Sequence, residues 1–185
     1  MKHAYILIAG LVLALGADVS ADTAVTDAAL LKTSLDRQPA LSHYARQIWL
    51  PAMDKRLAQR VPNNADRHLL LRLIYAEARR VNLAPELVMA IIQVESAFNR
   101  QAVSHAGARG LMQVMPFWTR ELPLGDDLFS VHTNLRYGCS ILRRYLDQEQ
   151  GNILRALARY NGSLNHSYGY ADKVMTTMQT HWRRP

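Results

Sequence analysis

The chain has a single cysteine, Cys139. One thiol cannot form an internal disulfide, so the fold must be stabilised by its core even in an oxidising compartment. Cys139 falls on an apolar helical stripe with Leu135, Leu142 and Leu146, which favours a small buried hydrophobic residue over the alternative of a catalytic nucleophile. Low-complexity tracts and internal repeats are also missing, and this excludes extensive disorder and fibrous classes.

Metal and nucleotide signatures are missing as well. The seven histidines include no pair three or four residues apart, and with one cysteine there is no thiolate pair, so we expect neither a metal nor a cofactor. The glycine-containing loop at residues 104–110 lacks the Gly-Lys-Ser/Thr ending of a phosphate loop and follows no strand, which excludes that nucleotide site. The arginines are spread out and are not interleaved with aromatic residues, as a nucleic-acid groove would require.

No stretch alternates convincingly at period two, so the sequence predicts a mainly α fold with at most a minor hairpin. The 3.6-residue pattern predicts helices over residues 66–78, 85–98, 135–149, 152–160 and 170–182, with a shorter one at 52–61. Residues 126–134 supply turn and cap types before the 135–149 helix. We expect a signal peptide at 1–21, an N-terminal helical appendage at 22–64 and one catalytic domain at 65–185.

Residues 1–21 have the pattern of a cleavable secretory signal, in which Lys2 precedes an apolar run and small residues occupy positions 19–21. The run is shorter than the roughly 20 residues that span a bilayer, so a retained anchor is the lesser alternative. We therefore expect a periplasmic protein with no stable membrane span after cleavage. Removing the signal takes away one lysine and one aspartate, so the net charge of +7 survives. That charge indicates a polyanionic partner such as an acidic wall polymer, and after export we expect no nucleic acid.

The residue with the clearest chemical interest is Glu95, near the end of an almost wholly apolar helix. Leu87, Ile91 and Val94 form one apolar stripe, and Glu95 lies on the neighbouring stripe with Ile92. Desolvation on such a surface raises a carboxyl pKa, and the negative end of the helix dipole also disfavours an anion. Carboxyl groups held protonated in this way act as general acids toward glycosidic oxygens.

The alternative for Glu95 is structural. A glutamate at a helix end can rotate into water, or it can pair with Arg100 or Arg109, and most glutamates are exposed. The residues that follow decide between these interpretations.

Four separated motifs occur in the order and rough spacing of the catalytic domain of soluble lytic transglycosylases. They are Glu95-Ser96, AVSHAGARGLMQVMP at residues 102–116, ALARYNGS at residues 156–163, and Tyr170 with Val174. Over about residues 66–182 the chain therefore resembles this lysozyme-like family, whose fold is shared with goose-type lysozyme. One departure is visible: Asn161 meets Gly162 directly, where the commoner motif has an intervening alanine, and this puts the path of that loop in doubt.

The resemblance implies cleavage of the β-1,4 bond between N-acetylmuramic acid and N-acetylglucosamine in peptidoglycan glycan strands. The muramic acid's own 6-hydroxyl would close a 1,6-anhydro ring, with Glu95 acting first as acid and then as base, and with the substrate's N-acetyl group stabilising the oxocarbenium-like centre. No second carboxylate occupies a matching position. The nearest downstream acids, Glu121, Asp126 and Asp127, have the pattern of a solvated loop.

The resemblance also implies substrate-binding roles, each with a structural alternative. Ser104 would approach the acetamido or glycosidic region, or simply form a turn; Gly107 and Gly110 would supply positive φ angles. Met112 and Gln113 would line the sugar sites, or be a core residue and a solvated amide. Tyr160 would lie near Glu95, and Asn161 would hold the chain at the corner formed by Tyr160. Tyr170 would stack or hydrogen-bond in the cleft, or pack in the core.

Two other functions remain open from the sequence. A true muramidase of the goose-type lysozyme kind would share the fold and the acid but add water to the bond. A glycan-binding accessory of a cell-envelope or secretion complex would bind the strand without turning it over. The small size is compatible with an enzyme that opens the wall for a secretion machine, but no residue demonstrates such a partner.

Overall fold

Helices make up almost all the regular structure of residues 42–164, 167–183 and 185, which are the residues that the computed structural model describes. A π-helical turn, Ala45–Trp49, leads directly into the first α-helix. The α-helices are α1 (Leu50–Leu57), α2 (Asn64–Arg80), α3 (Pro85–Ser96), α4 (Trp118–Glu121), α5 (Val131–Gln148), α6 (Ile153–Tyr160) and α7 (Gly169–His181). Two isolated antiparallel bridges are the only β structure in this part of the chain. The predicted mainly α architecture is confirmed.

Polar side chains begin several of the helices. The Asn63 side-chain oxygen accepts a hydrogen bond from the Asp66 N–H at 3.1 Å, and the Asn152 side-chain oxygen accepts one in the same way from the Arg155 N–H at 3.1 Å. Each bond satisfies one of the N–H groups that a first helical turn leaves without a partner. The start of α3 depends instead on Pro85, whose fixed φ suits the first helical position.

The central helix is α3, which is buried on all sides from Leu87 to Ile92. A helix that is apolar all round cannot lie on the surface of a water-soluble fold without a large cost, so other helices cover it. Its most extensive packing is against α7, and α2 lies along it as well. Because the core surrounds α3, only the two ends of this helix reach positions where polar groups can act.

Helix α3 ends at Ser96, two residues before the predicted end. Ala97 and Phe98 both have left-handed backbones, with φ of +49° and +68°. The Ser96 hydroxyl has two backbone carbonyl oxygens within hydrogen-bond distance, that of Leu111 at 2.8 Å and that of Ile92 at 3.1 Å, and donates to one of them. The Phe98 ring packs edge-on against Trp182 at a centroid distance of 5.5 Å. The two left-handed residues end the helix, and the contacts of Ser96 with Leu111 and of Phe98 with Trp182 link this turn to later parts of the chain, which a helical pattern does not register.

The segment after α3 forms the minor hairpin that the sequence allowed. Val103 bridges Arg109, and Arg109 bridges Val114. Helix α5 then begins at Val131 rather than at the predicted Leu135, with Ser130 as its N-cap. Residues 131–134, expected as turn and cap residues, are therefore the first turn of α5, and this brings their side chains against the hairpin.

Residues 42–57 pack on the helices that follow them. The Trp49 indole N–H donates to the Glu86 carboxylate at 3.0 Å, and its ring lies 5.1 Å from that of Tyr75. Met53 and Leu57 are fully buried in the common core. No helix among the described residues is long and apolar enough to cross a bilayer. The predicted signal at residues 1–21, and the part of the predicted appendage up to residue 41, lie outside those residues.

A buried charged cluster joins α2 to α5. Glu77 is 1% exposed and accepts from the Arg80 guanidinium at 2.6 Å, while the imidazole of His132 lies 3.3 Å away. Desolvation by itself raises the pKa of Glu77, but the hydrogen bonds and positive charges of His132 and Arg80 outweigh it, so the pKa is lowered. Glu77 is therefore an ionised structural carboxylate.

Candidate active site

Glu95 lies in the last turn of α3, and its side chain is half-buried. The Tyr170 hydroxyl, from the first turn of α7, donates to Glu95 Oε1 at 2.6 Å. These two residues are far apart in the sequence, and the tight packing of α7 on α3 brings them together. The partner of Glu95 is thus a neutral phenol. The alternative pairing with Arg109 does not form, since that guanidinium lies over the Phe129 ring at 5.7 Å.

The surroundings of Glu95 favour its protonated form. Burial raises its pKa to about 7, and this value already includes the opposing effects of the Tyr170 hydrogen bond and the Lys173 charge. The sequence predicted a raised pKa for this reason. Near neutral pH, such a carboxyl group is present in both forms, so it can give a proton and later accept one.

Tyr160 lies close to Glu95 but hydrogen-bonds elsewhere. Its hydroxyl donates to the backbone carbonyl of Met112 at 2.8 Å. Burial raises the pKa of Tyr160 and that of Tyr170 well above the ordinary value, and the nearby Glu95 carboxyl adds to both shifts. Both phenols therefore stay protonated and act as hydrogen-bond donors.

The Met112 side chain does not line the cleft, because it is fully buried. It lies so close to α5 that a Cβ added at Gly138 would be 2.3 Å from the Met112 sulfur. Of the two interpretations open from the sequence, the structure therefore favours the core residue. The contribution of Met112 to the site is its backbone, which accepts from Tyr160 and donates to the Asn134 side-chain oxygen at 2.8 Å.

Ser104 begins a tight turn in the hairpin. Its hydroxyl oxygen accepts from the Ala108 N–H at 3.0 Å, and its carbonyl accepts from the Gly107 N–H at 2.9 Å. Gly107 has a φ of +84°, as expected. The turn-forming role is therefore present, and it leaves the Ser104 hydroxyl hydrogen as a possible donor to a ligand.

Asn134 holds the hairpin against α5, and the sequence did not single it out. Its amide nitrogen donates to the carbonyls of Arg109 at 2.8 Å and Leu128 at 2.7 Å, while its oxygen accepts from Met112. Gly110, with φ of +74°, fits only because it has no side chain: a Cβ there would be 2.4 Å from the Asn134 nitrogen. An asparagine next to a predicted helix start looks like a cap in the sequence, so only its burial distinguishes it.

Gln113 and Asn161 are the remaining residues that the sequence predicted for the site. The Gln113 side-chain nitrogen donates to the backbone carbonyls of Gly110 at 2.9 Å and Ala102 at 3.1 Å, so its carbonyl oxygen is the atom left for a ligand. Asn161 caps α6, and Gly162 follows at φ +79°. The Ser163 N–H then bonds back to the Ala158 carbonyl at 2.7 Å. The direct Asn-Gly step thus ends the helix in a regular glycine C-cap.

The three downstream acids, Glu121, Asp126 and Asp127, are all exposed, as a solvated loop would be. The Asp127 carboxylate accepts from the Phe129 N–H at 2.8 Å. In residues 42–164, 167–183 and 185, no group of three or more His, Cys, Asp or Glu side chains is placed to hold a metal ion. Compared with these three acids, Glu95 is the carboxyl group that is withdrawn from solvent.

Comparison with known proteins identifies a family. The family model of the transglycosylase SLT domain matches residues 72–181, which is more than half of the chain. A transglycosylase of Enterobacteria phage PRD1 is 35% identical over 108 residues, covering 55% of this chain and 40% of its own. A membrane-bound lytic murein transglycosylase C of Klebsiella pneumoniae is 46% identical over 112 residues, covering 58% of this chain and 28% of its own.

A further lytic murein transglycosylase C, from Sodalis glossinidius, is 35% identical over 125 residues, covering 66% of this chain and 31% of its own. A crystal structure of a lytic transglycosylase from Pseudomonas aeruginosa aligns with a TM-score of 0.46 and 25% identity, covering 74% of this chain and 26% of that one. The chain thus spans less than half the length of these relatives. The family match, which includes Glu95 and every site residue described above, shows that the chain belongs to the transglycosylase SLT domain family.

Proposed function

We propose that this protein is a peptidoglycan lytic transglycosylase that cleaves the β-1,4 bond after N-acetylmuramic acid and leaves a 1,6-anhydro product. The observation that carries the proposal is Glu95, a half-buried carboxyl group with a pKa of about 7 beside a phenolic donor. The membership of the chain in the transglycosylase SLT domain family and the names of its relatives support peptidoglycan as the substrate class. Glu95 is the proposed catalytic residue.

The reaction needs two proton transfers, and one carboxyl group can perform both. Protonated Glu95 gives its proton to the glycosidic oxygen as the C1–O bond breaks, and the sugar N-acetyl oxygen stabilises the positive charge that develops at C1. The resulting carboxylate then takes the proton of the muramic acid 6-hydroxyl while that oxygen bonds to C1. Glu95 ends protonated, no water is consumed, and the charge balances without a second carboxylate.

Ser104 and Gln113 have unused hydrogen-bonding atoms that suit an N-acetyl sugar. Ser104 already accepts from Ala108, so its hydroxyl hydrogen can donate to an acetamido oxygen. The Gln113 nitrogen is bound to its own loop, so its oxygen can accept from a sugar hydroxyl or amide. We propose these two side chains as sugar contacts, whereas Met112 serves through its backbone alone.

Tyr170 and Tyr160 have different proposed roles at Glu95. Tyr170 donates to the carboxyl group directly, so it orients the acid and stabilises the carboxylate that forms after the first proton transfer. Tyr160 fixes the hairpin relative to α6 through the Met112 carbonyl. Asn161 ends α6 directly after Tyr160 and so sets the direction in which the chain leaves that helix.

The test is mass spectrometry of the soluble products released from purified sacculi. We expect muropeptides that are lighter by one water than hydrolysed ones and that resist borohydride reduction. Glu95→Gln should release almost nothing, while Glu121→Gln, which removes an exposed carboxylate, should behave as wild type.

Three outcomes would contradict the proposal. Reducible products of hydrolytic mass would make the protein a muramidase. Equal and absent cleavage by wild type and Glu95→Gln, with retained binding to sacculi, would make it a glycan-binding accessory. A severe loss in Glu121→Gln would refute the assignment of both proton transfers to Glu95.

We further propose that the protein acts in the periplasm, because the predicted signal at residues 1–21 would export it to the compartment that holds peptidoglycan. A partner in a cell-envelope or secretion complex stays a prediction. Fractionation of cells that express the full chain would test the location, and protein retained in the cytoplasm would contradict it.

A further inference from the structure

A row of aromatic side chains continues from the candidate site along α5. Phe117 and Trp118 follow the hairpin, with ring centroids 5.2 Å apart, and Trp118 meets the Tyr145 ring edge-on at 6.1 Å. We call Phe117, Trp118 and Tyr145 the aromatic platform. Phe117 is 36% exposed, and the other two rings are half-buried. Part of the platform therefore faces solvent.

The register of α5 and α6 places this platform near Tyr160, which is itself close to Glu95. The turn at residues 149–152 joins α5 to α6 as an antiparallel pair, so Tyr145 lies alongside the last turns of α6, where the Arg159 guanidinium is 5.9 Å from its ring centroid. Tyr160 is the next residue. Burial raises the pKa of Tyr160, and Glu95 and Tyr145 both add to the shift, so the three groups share one region.

The segment between Met112 and Trp118 runs parallel to α5. Met112 packs on Gly138, and Trp118 packs on Tyr145, seven positions further along the helix. Two helical turns correspond to about 10 Å, which is the scale of a disaccharide. Helix α5 contacts both the 112–118 segment and α6, so a glycan strand that is bound at Glu95 and follows α5 would reach the platform over that distance.

The chemistry of the platform suits a sugar ring. A pyranose has a face of C–H groups that packs on an aromatic ring and removes apolar surface from water, while its hydroxyl groups stay at the edges. Tyrosine and tryptophan combine such a ring with a polar group. The guanidinium of the exposed Arg144 lies over the Trp118 ring, 5.8 Å from its centroid, so it covers part of one ring face and can donate to the hydroxyl groups of a sugar at the edge of the platform.

We propose that Phe117, Trp118 and Tyr145 form an additional glycan subsite that stacks a sugar of the strand whose scissile bond lies at Glu95. The occupant is the same glycan strand, because the platform continues the candidate cleft at Tyr160. This inference rests on the proposed function and adds to it a determinant of substrate length: long strands gain a contact that short ones cannot reach.

The test is isothermal titration calorimetry with N-acetylglucosamine oligomers, from the dimer to the hexamer, on Glu95→Gln protein that cannot turn them over. The affinity should rise with oligomer length. Adding Trp118→Ala should lower the affinity for the hexamer about tenfold and that for the dimer less than about twofold, as expected for the loss of one stacking contact. Trp118→Phe, which keeps a ring, should retain most of the affinity.

Tyr75→Ala is the matched control. Tyr75 is also half-buried and packs on another aromatic ring, Trp49, but it lies near the start of α3, at the opposite end from Glu95. It should leave the dimer and hexamer affinities unchanged, even where it lowers the melting temperature. A thermal melt of every variant separates loss of the subsite from loss of the fold.

Several results would overturn the subsite. One is an equal loss of affinity for dimer and hexamer in Trp118→Ala. Another is a hexamer affinity that does not depend on Trp118. A third is that Trp118→Ala weakens the binding of a free stem peptide and leaves the binding of the sugar oligomers unchanged. A parent protein that binds all lengths equally would overturn the subsite but not the proposed function. A parent that binds no oligomer, together with wild-type protein that cleaves no sacculi, would overturn both.

Discussion

Glu77 and Glu95 are both carboxyl groups taken out of bulk water by helix packing, yet their pKa values move in opposite directions. For both, desolvation is the largest effect and raises the pKa. At Glu77, hydrogen bonds and charges from His132 and Arg80 outweigh it, and the pKa is lowered. At Glu95, one phenolic hydrogen bond and the Lys173 charge offset only part of it, and the pKa rises to about 7.

The comparison teaches that burial alone does not define a general acid. The Glu77 carboxylate is paired with the Arg80 guanidinium and lies against the His132 imidazole, so it contributes to the fold, whereas Glu95 has a neutral donor and can change its protonation state near neutral pH. The difference lies in what the neighbouring helices present: α2 and α5 supply Arg80 and His132, while α7 supplies a tyrosine. If this account is right, the two residues must respond oppositely to mutation and to pH.

The largest expected effect is the loss of activity in Glu95→Gln. Because an amide cannot give or take the required proton, cleavage of sacculi should fall by at least about 1000-fold, within the range for removal of a general acid. The measurement is the rate of soluble muropeptide release under saturating substrate. Glu77→Gln, corrected for the folded fraction, should keep a rate close to that of wild type, and a comparable loss there would break the distinction between the two carboxyl groups.

Removing the charge of Glu77 should be the largest effect on stability. Glu77→Gln leaves the Arg80 guanidinium without its anion in a buried cluster, and we expect a loss of about 3 to 5 kcal/mol in the free energy of unfolding by urea. The control is Asp147→Asn, which breaks the more exposed pair with Arg143 at 2.5 Å and should cost less than about 1 kcal/mol. Similar losses in both variants would contradict a special role for the buried cluster.

The pH dependence of stability should separate the two residues by sign. Folding holds Glu95 protonated up to about pH 7, whereas the unfolded chain ionises near 4.5, so the unfolded state is favoured as the pH rises through that interval. Linkage gives a destabilisation on the order of 3 kcal/mol above pH 7 that is absent below the unfolded pKa. Glu95→Gln should therefore be more stable than wild type at pH 8 and equal to it near pH 4.

Glu77 should show the reverse dependence. Its pKa is lowered on folding, so its stabilisation is present above the ordinary carboxyl pKa and disappears as the pH falls through the lower folded value. Denaturation curves of wild type and both Gln variants from pH 3 to 8 would show this. Curves for Glu95→Gln and wild type that run parallel over the whole range would contradict the raised pKa of Glu95.

The smallest expected effect concerns Tyr170. Its hydrogen bond lowers the pKa of Glu95, so Tyr170→Phe should raise that pKa further, by about one unit. Carbon NMR of the labelled Glu95 carboxyl group measures the change. Tyr160→Phe is the control, since that hydroxyl donates to the Met112 carbonyl; an equal shift in both variants would mean that the phenols act through the general environment and not through the specific bond.

Much of the helical architecture could be predicted from local pattern. The 3.6-residue period located α2, α3, α5, α6 and α7, because each buries one face or all of its surface in the same core. The ends of the helices were less predictable. Helix α3 stops at Ser96, where Ala97 and Phe98 adopt left-handed backbones, and the contact of the Ser96 hydroxyl with the Leu111 carbonyl, 15 residues away, leaves no mark on the periodicity.

The candidate site was predictable in part for the same reason. Glu95 is conspicuous in a sequence because it is an acid in an apolar helix, and the glycines at 107 and 110 do adopt the positive φ angles expected of them. Asn134 carries three hydrogen bonds that hold the hairpin, but its position before a helix has an ordinary capping explanation. At Met112 the motif position implies a sugar contact, with a core residue as the alternative, and the side chain is buried in the core.

The sequence by itself determined the helical class, the apolar helix and the presence of an acid, Glu95, in its last turns, since these depend on residue type and short-range spacing. The tertiary structure decided the partner of that acid. Tyr170 is 75 residues away from Glu95 along the chain, and the packing of α7 on α3 alone makes the phenol, and not Arg100 or Arg109, the group that meets the carboxyl. A pKa depends on which charges and dipoles lie within a few ångströms, and the fold sets those distances.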